Sequence, residues 1–155
     1  YWPLEPMDVL SVWLAGTSSK INNGCMRLIP GTHNKRLLKP SEMLKMDLNR
    51  YVLDLAIDRN DLNESDAIDI ELNPGDISIH NPFIIHGSNS NCSEEWRIGL
   101  TLRYIPTSTF VNRKKWECAF LRGKKQKKIK NNYVQRPIFN HDKHMPFEGQ
   151  DEFLD

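Results

Sequence analysis

The chain has 155 residues, of which 39% are hydrophobic and 26% charged, with a net charge of +1. This length predicts one domain, and the absence of any apolar run near the roughly 20 residues of a membrane-spanning helix excludes a membrane partner. The three cysteines are odd in number and form no CxxC pair, which excludes a disulfide framework and a zinc ribbon and favours the reducing cytoplasm.

The first two predicted strands lie on either side of a tight turn. Residues 9–15 are almost all β-branched, aromatic or aliphatic, and no breaker interrupts them before Gly16, which favours a largely buried strand. Asn23-Gly24 tolerates the positive φ angles of a tight reversal, so we expect a turn there. Residues 25–29 then form a short second strand.

The stretch over residues 35–72 is polar and acidic, with leucine and methionine scattered along it. It shows no strong periodicity. Ser41 is a suitable cap for a short helix over residues 42–48, and we expect one there.

A strand with one polar face is predicted over residues 77–86, after a turn at 73–76. Alternation places His80 and His86 on the same face. Pro82 cannot donate a ladder hydrogen bond, so it marks an edge position or a bulge, and bulges are frequent beside active sites.

A further strand is predicted over residues 96–104, where Arg97 and Arg103 share one face. We expect a hairpin to join it to the strand over 77–86. This hairpin would make Arg97 a near neighbour of His86.

Residues 113–130 form a basic segment, with nine basic side chains and one acidic. Such a segment is able to bind phosphates, either of nucleic acid or of an anionic substrate such as a CoA ester. No recognition motif or aromatic stacking platform accompanies it, so we interpret it as a solvated surface and do not expect a nucleic-acid partner.

Short strands between turn signals, without sustained helical periodicity, predict a mainly β fold, an antiparallel sandwich or jelly roll with short helices. We expect residues 1–155 to form a single domain. Its core is predicted at about 1–106, followed by the basic segment and an irregular tail over 107–155.

His86 and Arg97 together point to a metal beside a carboxylate anchor. A neutral imidazole suits a divalent transition metal, and a guanidinium pairs with a carboxylate through two parallel hydrogen bonds. Each residue alone has a structural explanation, since an inward arginine commonly pairs with an internal acid such as Asp76. The alternative to a metal enzyme is a non-catalytic jelly-roll module that binds a sugar or a carboxylate.

Several blocks occur in a characteristic order over most of the chain. They are Val12-Trp13-Leu14-Ala15, the block 22–33 ending in Ile-Pro-Gly-Thr-His, Pro74-Gly75-Asp76, His86-Gly87-Ser88, Arg97 eleven residues after His86, and the blocks 103–108 and 121–123. In this combination the chain resembles the phytanoyl-CoA dioxygenase family of iron(II)- and 2-oxoglutarate-dependent oxygenases.

The resemblance implies a double-stranded β-helix, a cupin-like jelly roll, whose iron is held by a His-x-Asp pair and a later histidine. His86 matches the later histidine. Arg97 matches the residue that grips the remote carboxylate of 2-oxoglutarate, with Ser88 as a hydroxyl donor to the same co-substrate. Trp13 matches an aromatic position of that pocket, although core packing also explains it. The implied cofactors are Fe(II), 2-oxoglutarate and O2.

His33 and His80 are expected to be structural. Along an extended strand, His80 lies six residues, or roughly 20 Å, from His86.

The 155 residues contain no His-x-Asp or His-x-Glu. In the family this pair lies a few residues before a segment like Tyr1-Trp2-Pro3, so we expect the chain to begin just after its first two metal ligands and to be inactive alone. Halogenation would follow if a small residue replaced the upstream carboxylate.

The resemblance therefore implies a dioxygenase that hydroxylates an unactivated carbon of a small molecule, and acyl-CoA thioesters are among the substrates of the family. The residues that choose the substrate are expected in variable loops, here 35–72 and the C-terminal tail.

Overall fold

A computed structural model describes residues 2–34, 42–49, 53, 55–135 and 140 of the chain. The chain divides into a larger unit, residues 1–2 and 7–106, and a smaller unit, residues 3–6 and 107–155. Within the described part, helix is limited to three-residue 3-10 turns. None of the helices in that part has the length and hydropathy that a bilayer crossing requires.

Twelve short strands are found among the described residues. In chain order they are β1 (Leu4–Glu5), β2 (Leu10–Ala15), β3 (Met26–Leu28), β4 (Leu44–Lys45), β5 (Leu55–Ala56), β6 (Ile68–Ile70), β7 (Ile77–His80), β8 (His86–Ser88), β9 (Gly99–Tyr104), β10 (Phe110–Val111), β11 (Glu117–Ala119) and β12 (Asn132–Val134).

In the larger unit, two three-stranded antiparallel sheets carry the candidate site. Their strand orders are β7-β2-β9 and β6-β3-β8, and β4 pairs with β5 in a separate ribbon. The chain passes from one sheet to the other between β2 and β3, between β6 and β7, between β7 and β8, and again between β8 and β9. Such crossings are typical of a jelly roll, and the mainly β prediction is confirmed.

The β7-β2-β9 sheet has an apolar face and a polar face. On the apolar face Val12 is buried between Ile79 and Leu102. The same face leaves large side chains exposed, namely Leu10, Ile77, Ile79, Leu100 and Tyr104. The other face, here called the polar face, carries Ser11, Trp13, Ser78, His80, Thr101 and Arg103, because directly paired residues point to the same side of a sheet.

The predicted turn before β3 is confirmed. Gly24 has a φ of +77°, which favours glycine. A Cβ at this position would lie 2.7 Å from the backbone oxygen of Asn89, so the turn also needs glycine for close packing. The amide of Asn23, which is 1% exposed, donates to Ser18 O at 2.8 Å and accepts from Lys20 N at 2.7 Å.

The strand predicted over 77–86 is two strands in different sheets. The break lies at Asn81, whose side-chain oxygen accepts from Phe83 N at 2.9 Å and whose carbonyl accepts from Ile84 N at 3.1 Å. Pro82 lies inside this turn, where its missing N–H costs no ladder hydrogen bond.

Two other expectations are wrong. Strands β7 and β9 do not form a hairpin, because β2 lies between them and pairs with both. The residues predicted as a helix over 42–48 contain strand β4 instead, in which Leu44 pairs with Ala56. The proposed helix cap, Ser41, lies outside the described residues.

In the smaller unit, β1 pairs with β10, and β11 pairs in parallel with β12. The expectation of an irregular tail is therefore wrong for residues 132–134. Asn131 links this part to β10, since it donates to Thr109 O and accepts from Val111 N, both at 2.8 Å.

Candidate functional site

His86 begins β8 with one ring nitrogen already engaged. Its Nδ1 lies 2.7 Å from Ile84 O, a carbonyl that can only accept, so Nδ1 carries the proton in the neutral ring. The lone pair of Nε2 is then left for a metal. A backbone carbonyl on the second nitrogen is a common way to fix a metal-binding histidine, and His86 thus fits the role of an iron ligand.

Thr32 holds the backbone just before His86, a role that was not predicted from the sequence. Its hydroxyl accepts from Ile85 N at 2.8 Å and donates to Ile29 O at 2.7 Å, and the residue is 5% exposed. Ile29 N also donates to Ile85 O at 2.9 Å. A threonine next to Pro-Gly is a turn signal, but its partner lies 53 residues away and cannot be found from local sequence.

A cavity of about 750 Å³ in the larger unit brings three of the predicted site residues together. His86, Ser88 and Arg97 all line it. Met43, Leu55 and Phe83 are among the apolar side chains of its wall. A ligand with a polar end and an apolar body would therefore match this cavity.

Arg97 lies in this cavity and forms no ion pair with a described residue. Among the described residues no carboxylate comes within 4.0 Å of its guanidinium, which instead lies 5.6 Å from the centre of the Trp13 ring. Asp76, the acid considered as a structural partner, accepts from Asn73 N at 2.8 Å. The fork of Arg97 is left available to a carboxylate from a ligand.

Arg27 provides the contrast, although it lines the same cavity. Its Nε lies 2.8 Å from a carboxylate oxygen of Asp69, and its Nη1 lies 3.9 Å from Glu64. The charge of Arg27 is thus compensated by the protein itself.

Trp13 is fixed between Arg97 and the start of β9. A Cβ at Gly99 would collide with the Trp13 indole, so the ring lies directly against the backbone of that glycine. This close approach was not predicted, because it joins residues from two strands that are distant in sequence.

His80 is much closer to His86 than expected. The two ring centres are 5.4 Å apart, so the estimate of roughly 20 Å along an extended strand is wrong. The turn at Asn81 folds the chain back between them. Burial, then the neighbouring His86 and Arg103, lower the pKa of His80 and keep its ring neutral.

His86 is the side chain of the cavity whose geometry suits a metal ion. No group of three histidine, cysteine, aspartate or glutamate side chains lies together in the described part of the chain. His86 fits one ligand position, with His80 beside it. His33, whose Nδ1 is buried and finds no hydrogen-bond partner in that part, stays a predicted structural histidine.

Comparison with known proteins identifies the family. The phytanoyl-CoA dioxygenase (PhyH) family model matches residues 1–99. A probable phytanoyl-CoA dioxygenase of Caenorhabditis elegans is 32% identical over 105 residues, which are 67% of this chain and 33% of that protein. The peroxisomal phytanoyl-CoA dioxygenase of Mus musculus is 26% identical over 156 residues, covering 100% of this chain and 42% of the relative.

A solved structure supports the same fold. The non-heme monooxygenase ThoJ in its apo form superposes with a TM-score of 0.66 at 23% identity, over 88% of this chain and 48% of that one. The chain spans less than half the length of the two relatives and of this structure. Because the family model covers well over half of its residues, the chain belongs to the phytanoyl-CoA dioxygenase family.

Proposed function

We propose that the chain is part of an Fe(II)- and 2-oxoglutarate-dependent dioxygenase that hydroxylates an unactivated carbon of a small-molecule or acyl substrate. The observation that carries this proposal is one cavity lined by His86, Ser88 and Arg97. His86 keeps Nε2 for a metal, and Arg97 has no carboxylate partner among the described residues.

The roles of these residues follow from their chemistry. The iron, when bound through His86 and further ligands, supplies the redox chemistry with O2. Arg97 holds the remote carboxylate of 2-oxoglutarate through its fork, Ser88 donates its hydroxyl to the same molecule, and Trp13 forms a wall of that subsite. These residues orient the co-substrate and exclude water.

Binding of 2-oxoglutarate tests the assignment of Arg97. Calorimetric titration of the chain in the presence of Ni²⁺ should show a large loss of 2-oxoglutarate affinity in Arg97→Ala and only partial recovery in Arg97→Lys, because a point charge cannot form the fork. Arg113→Ala is the matched control, since Arg113 also lies over a tryptophan, Trp116 at 5.5 Å. Unchanged affinity in Arg97→Ala would refute the role.

Turnover tests whether the chain is active by itself. The 155 residues contain no His-x-Asp or His-x-Glu, so we expect the chain alone to release no succinate from 2-oxoglutarate with Fe(II) and O2. Iron-dependent succinate release by the chain would contradict its predicted inactivity.

A non-catalytic binding module is the second candidate. It is favoured by the lack of a three-ligand group in the described part of the chain. Metal dependence distinguishes the two candidates, because a carboxylate-binding module should take up 2-oxoglutarate equally well with and without Ni²⁺.

The compartment also remains a proposal. The mouse relative is named as peroxisomal, whereas the three free cysteines favour a reducing compartment and a cytoplasmic location. Imaging of the tagged chain beside a peroxisomal marker would decide between them.

A further inference from the structure

The polar face of the β7-β2-β9 sheet carries a second arginine beyond the one assigned to 2-oxoglutarate. Ser11 of the central strand lies opposite both His80 and Arg103, so these side chains share one end of that face. Arg97 precedes β9 and lies against Trp13 on the same face. Arg97 lies two residues before β9 begins, and Arg103 is the fifth residue of that strand.

Arg103, like Arg97, has no carboxylate partner in the part of the chain that the structure describes. Within the described residues no carboxylate lies within 4.0 Å of it, whereas Arg27 is paired with Asp69. Its Nη1 donates to Leu102 O at 3.3 Å, and its guanidinium lies 4.9 Å from the ring centre of Trp2, a residue that also lines the cavity. Of five N–H donors, most are left for a ligand.

Arg103 as a whole residue is exposed, but part of its side chain is withdrawn from water, and this desolvation lowers its pKa. A guanidinium that is partly desolvated and not paired is less stable than one with an anionic partner. An anion that binds there would restore the lost interactions.

The neighbours of Arg103 on this face are also polar and unsatisfied. The Nδ1 atom of His80 and the hydroxyl of Ser78 are buried and find no hydrogen-bond partner in the described part of the chain. His80 and Arg103 both lie opposite Ser11, on the two strands that flank β2. His80 in turn lies beside His86, with ring centres 5.4 Å apart.

His86 thus lies beside the end of this face that carries His80 and Arg103. It also shares the cavity with Arg97, which precedes the start of β9. We infer that Arg103 binds a negatively charged group, a carboxylate or a phosphate ester, of the organic substrate, while Arg97 binds 2-oxoglutarate. This inference rests on the proposed function, because it identifies the ligand as the substrate of that site. It assigns Arg103 as a specificity-determining residue.

The test uses small probes in place of the unidentified substrate. Butanoate, butyl phosphate and butan-1-ol are titrated into the wild-type chain and into Arg103→Gln, Arg103→Lys and the control Arg113→Gln. Binding is followed by calorimetry, and folding is checked by circular dichroism. Both arginines contact a tryptophan ring, so Arg113→Gln controls for the loss of one charge and one ring contact.

We expect one or both anions to bind the wild-type chain more tightly than butan-1-ol. Arg103→Gln should weaken that binding at least about tenfold, the effect of losing one charge-assisted interaction. Arg103→Lys should recover part of it, and Arg113→Gln should leave it unchanged. The preferred probe shows whether the substrate group is a carboxylate or a phosphate.

Three results would overturn the inference: no preference for the anions over butan-1-ol, unchanged binding in folded Arg103→Gln, or an equal loss in Arg113→Gln. The proposed function is tested separately by Arg97→Gln, which should lose 2-oxoglutarate affinity while Arg103→Gln keeps it. Loss of 2-oxoglutarate binding in neither variant would contradict the role of Arg97 and leave the result for Arg103 intact.

Discussion

At the scale of single residues, Thr32 shows how a side chain away from the cavity fixes the residues within it. Its hydroxyl joins Ile29 O to Ile85 N, directly before His86. In Thr32→Val the shape of the side chain is kept, but Ile85 N loses its hydrogen-bond partner at a part-buried position. We expect the free energy of unfolding to fall by about 1–3 kcal/mol, measured by urea denaturation.

Thr32→Ser is the matched control, because it keeps the hydroxyl and removes only the methyl group. It should be more stable than Thr32→Val. If the serine variant is the less stable one, the methyl group and not the hydrogen-bond bridge accounts for the burial of Thr32.

Some single residues could be predicted from the sequence and others could not. His86 and Arg97 could be proposed as site residues from their side-chain chemistry and from the resemblance to the family, although the hairpin expected to join their strands is wrong. Thr32 and His80 were missed, since their roles depend on chain reversals that bring distant or opposed segments together. An alternation rule assumes a straight strand, and it fails where a turn such as that at Asn81 interrupts the strand.

At the scale of elements, the closest approach in the candidate site is between β2 and β9. The Trp13 indole lies against Gly99, where a Cβ would collide with the ring. Gly99→Ala should displace the indole and destabilise the chain by about 1–3 kcal/mol, the usual cost of overpacking. Affinity for 2-oxoglutarate should fall as well, because Trp13 and Arg97 are in contact.

Two variants control for this effect. A Cβ at Gly87, in β8, meets no atom within 4 Å, so Gly87→Ala should have a much smaller effect on stability. In a Trp13→Phe background the cost of Gly99→Ala should shrink, since the smaller ring leaves room for the methyl group. Equal costs in both backgrounds would show that the indole is not the source of the strain.

The sequence predicted the strands of the two three-stranded sheets except β6, but fewer of their neighbours. Strand β2 was expected over 9–15 and found over Leu10–Ala15, because its composition and length leave little choice. The hairpin between the strands of His86 and Arg97 was wrong, since sequence proximity favours direct pairing and a jelly roll places consecutive strands in different sheets.

At the scale of the whole molecule, the charge distribution separates the basic segment 113–130 from the rest of the chain. The segment contains nine basic side chains and one acidic side chain, although the net charge of the whole chain is only +1. Lys125 differs from its neighbours, because its Nζ lies 4.4 Å from the ring centre of Tyr133 and 5.1 Å from that of Phe120. Lys124, Lys127, Lys128 and Lys130 are exposed.

If this segment is a solvated surface, its lysines should differ in their effect on stability. Replacing Lys124, Lys127, Lys128 and Lys130 together by glutamine should change the free energy of unfolding by less than about 0.5 kcal/mol. Lys125→Gln alone should lower the free energy of unfolding by more than this, because it removes a cation from two aromatic rings.

The same four-lysine variant tests nucleic-acid binding through the salt dependence of its affinity for a labelled DNA duplex. A logarithmic slope shallower than wild type by about 0.9 per lysine would mean that these lysines contact phosphates, and an unchanged slope supports a solvated surface.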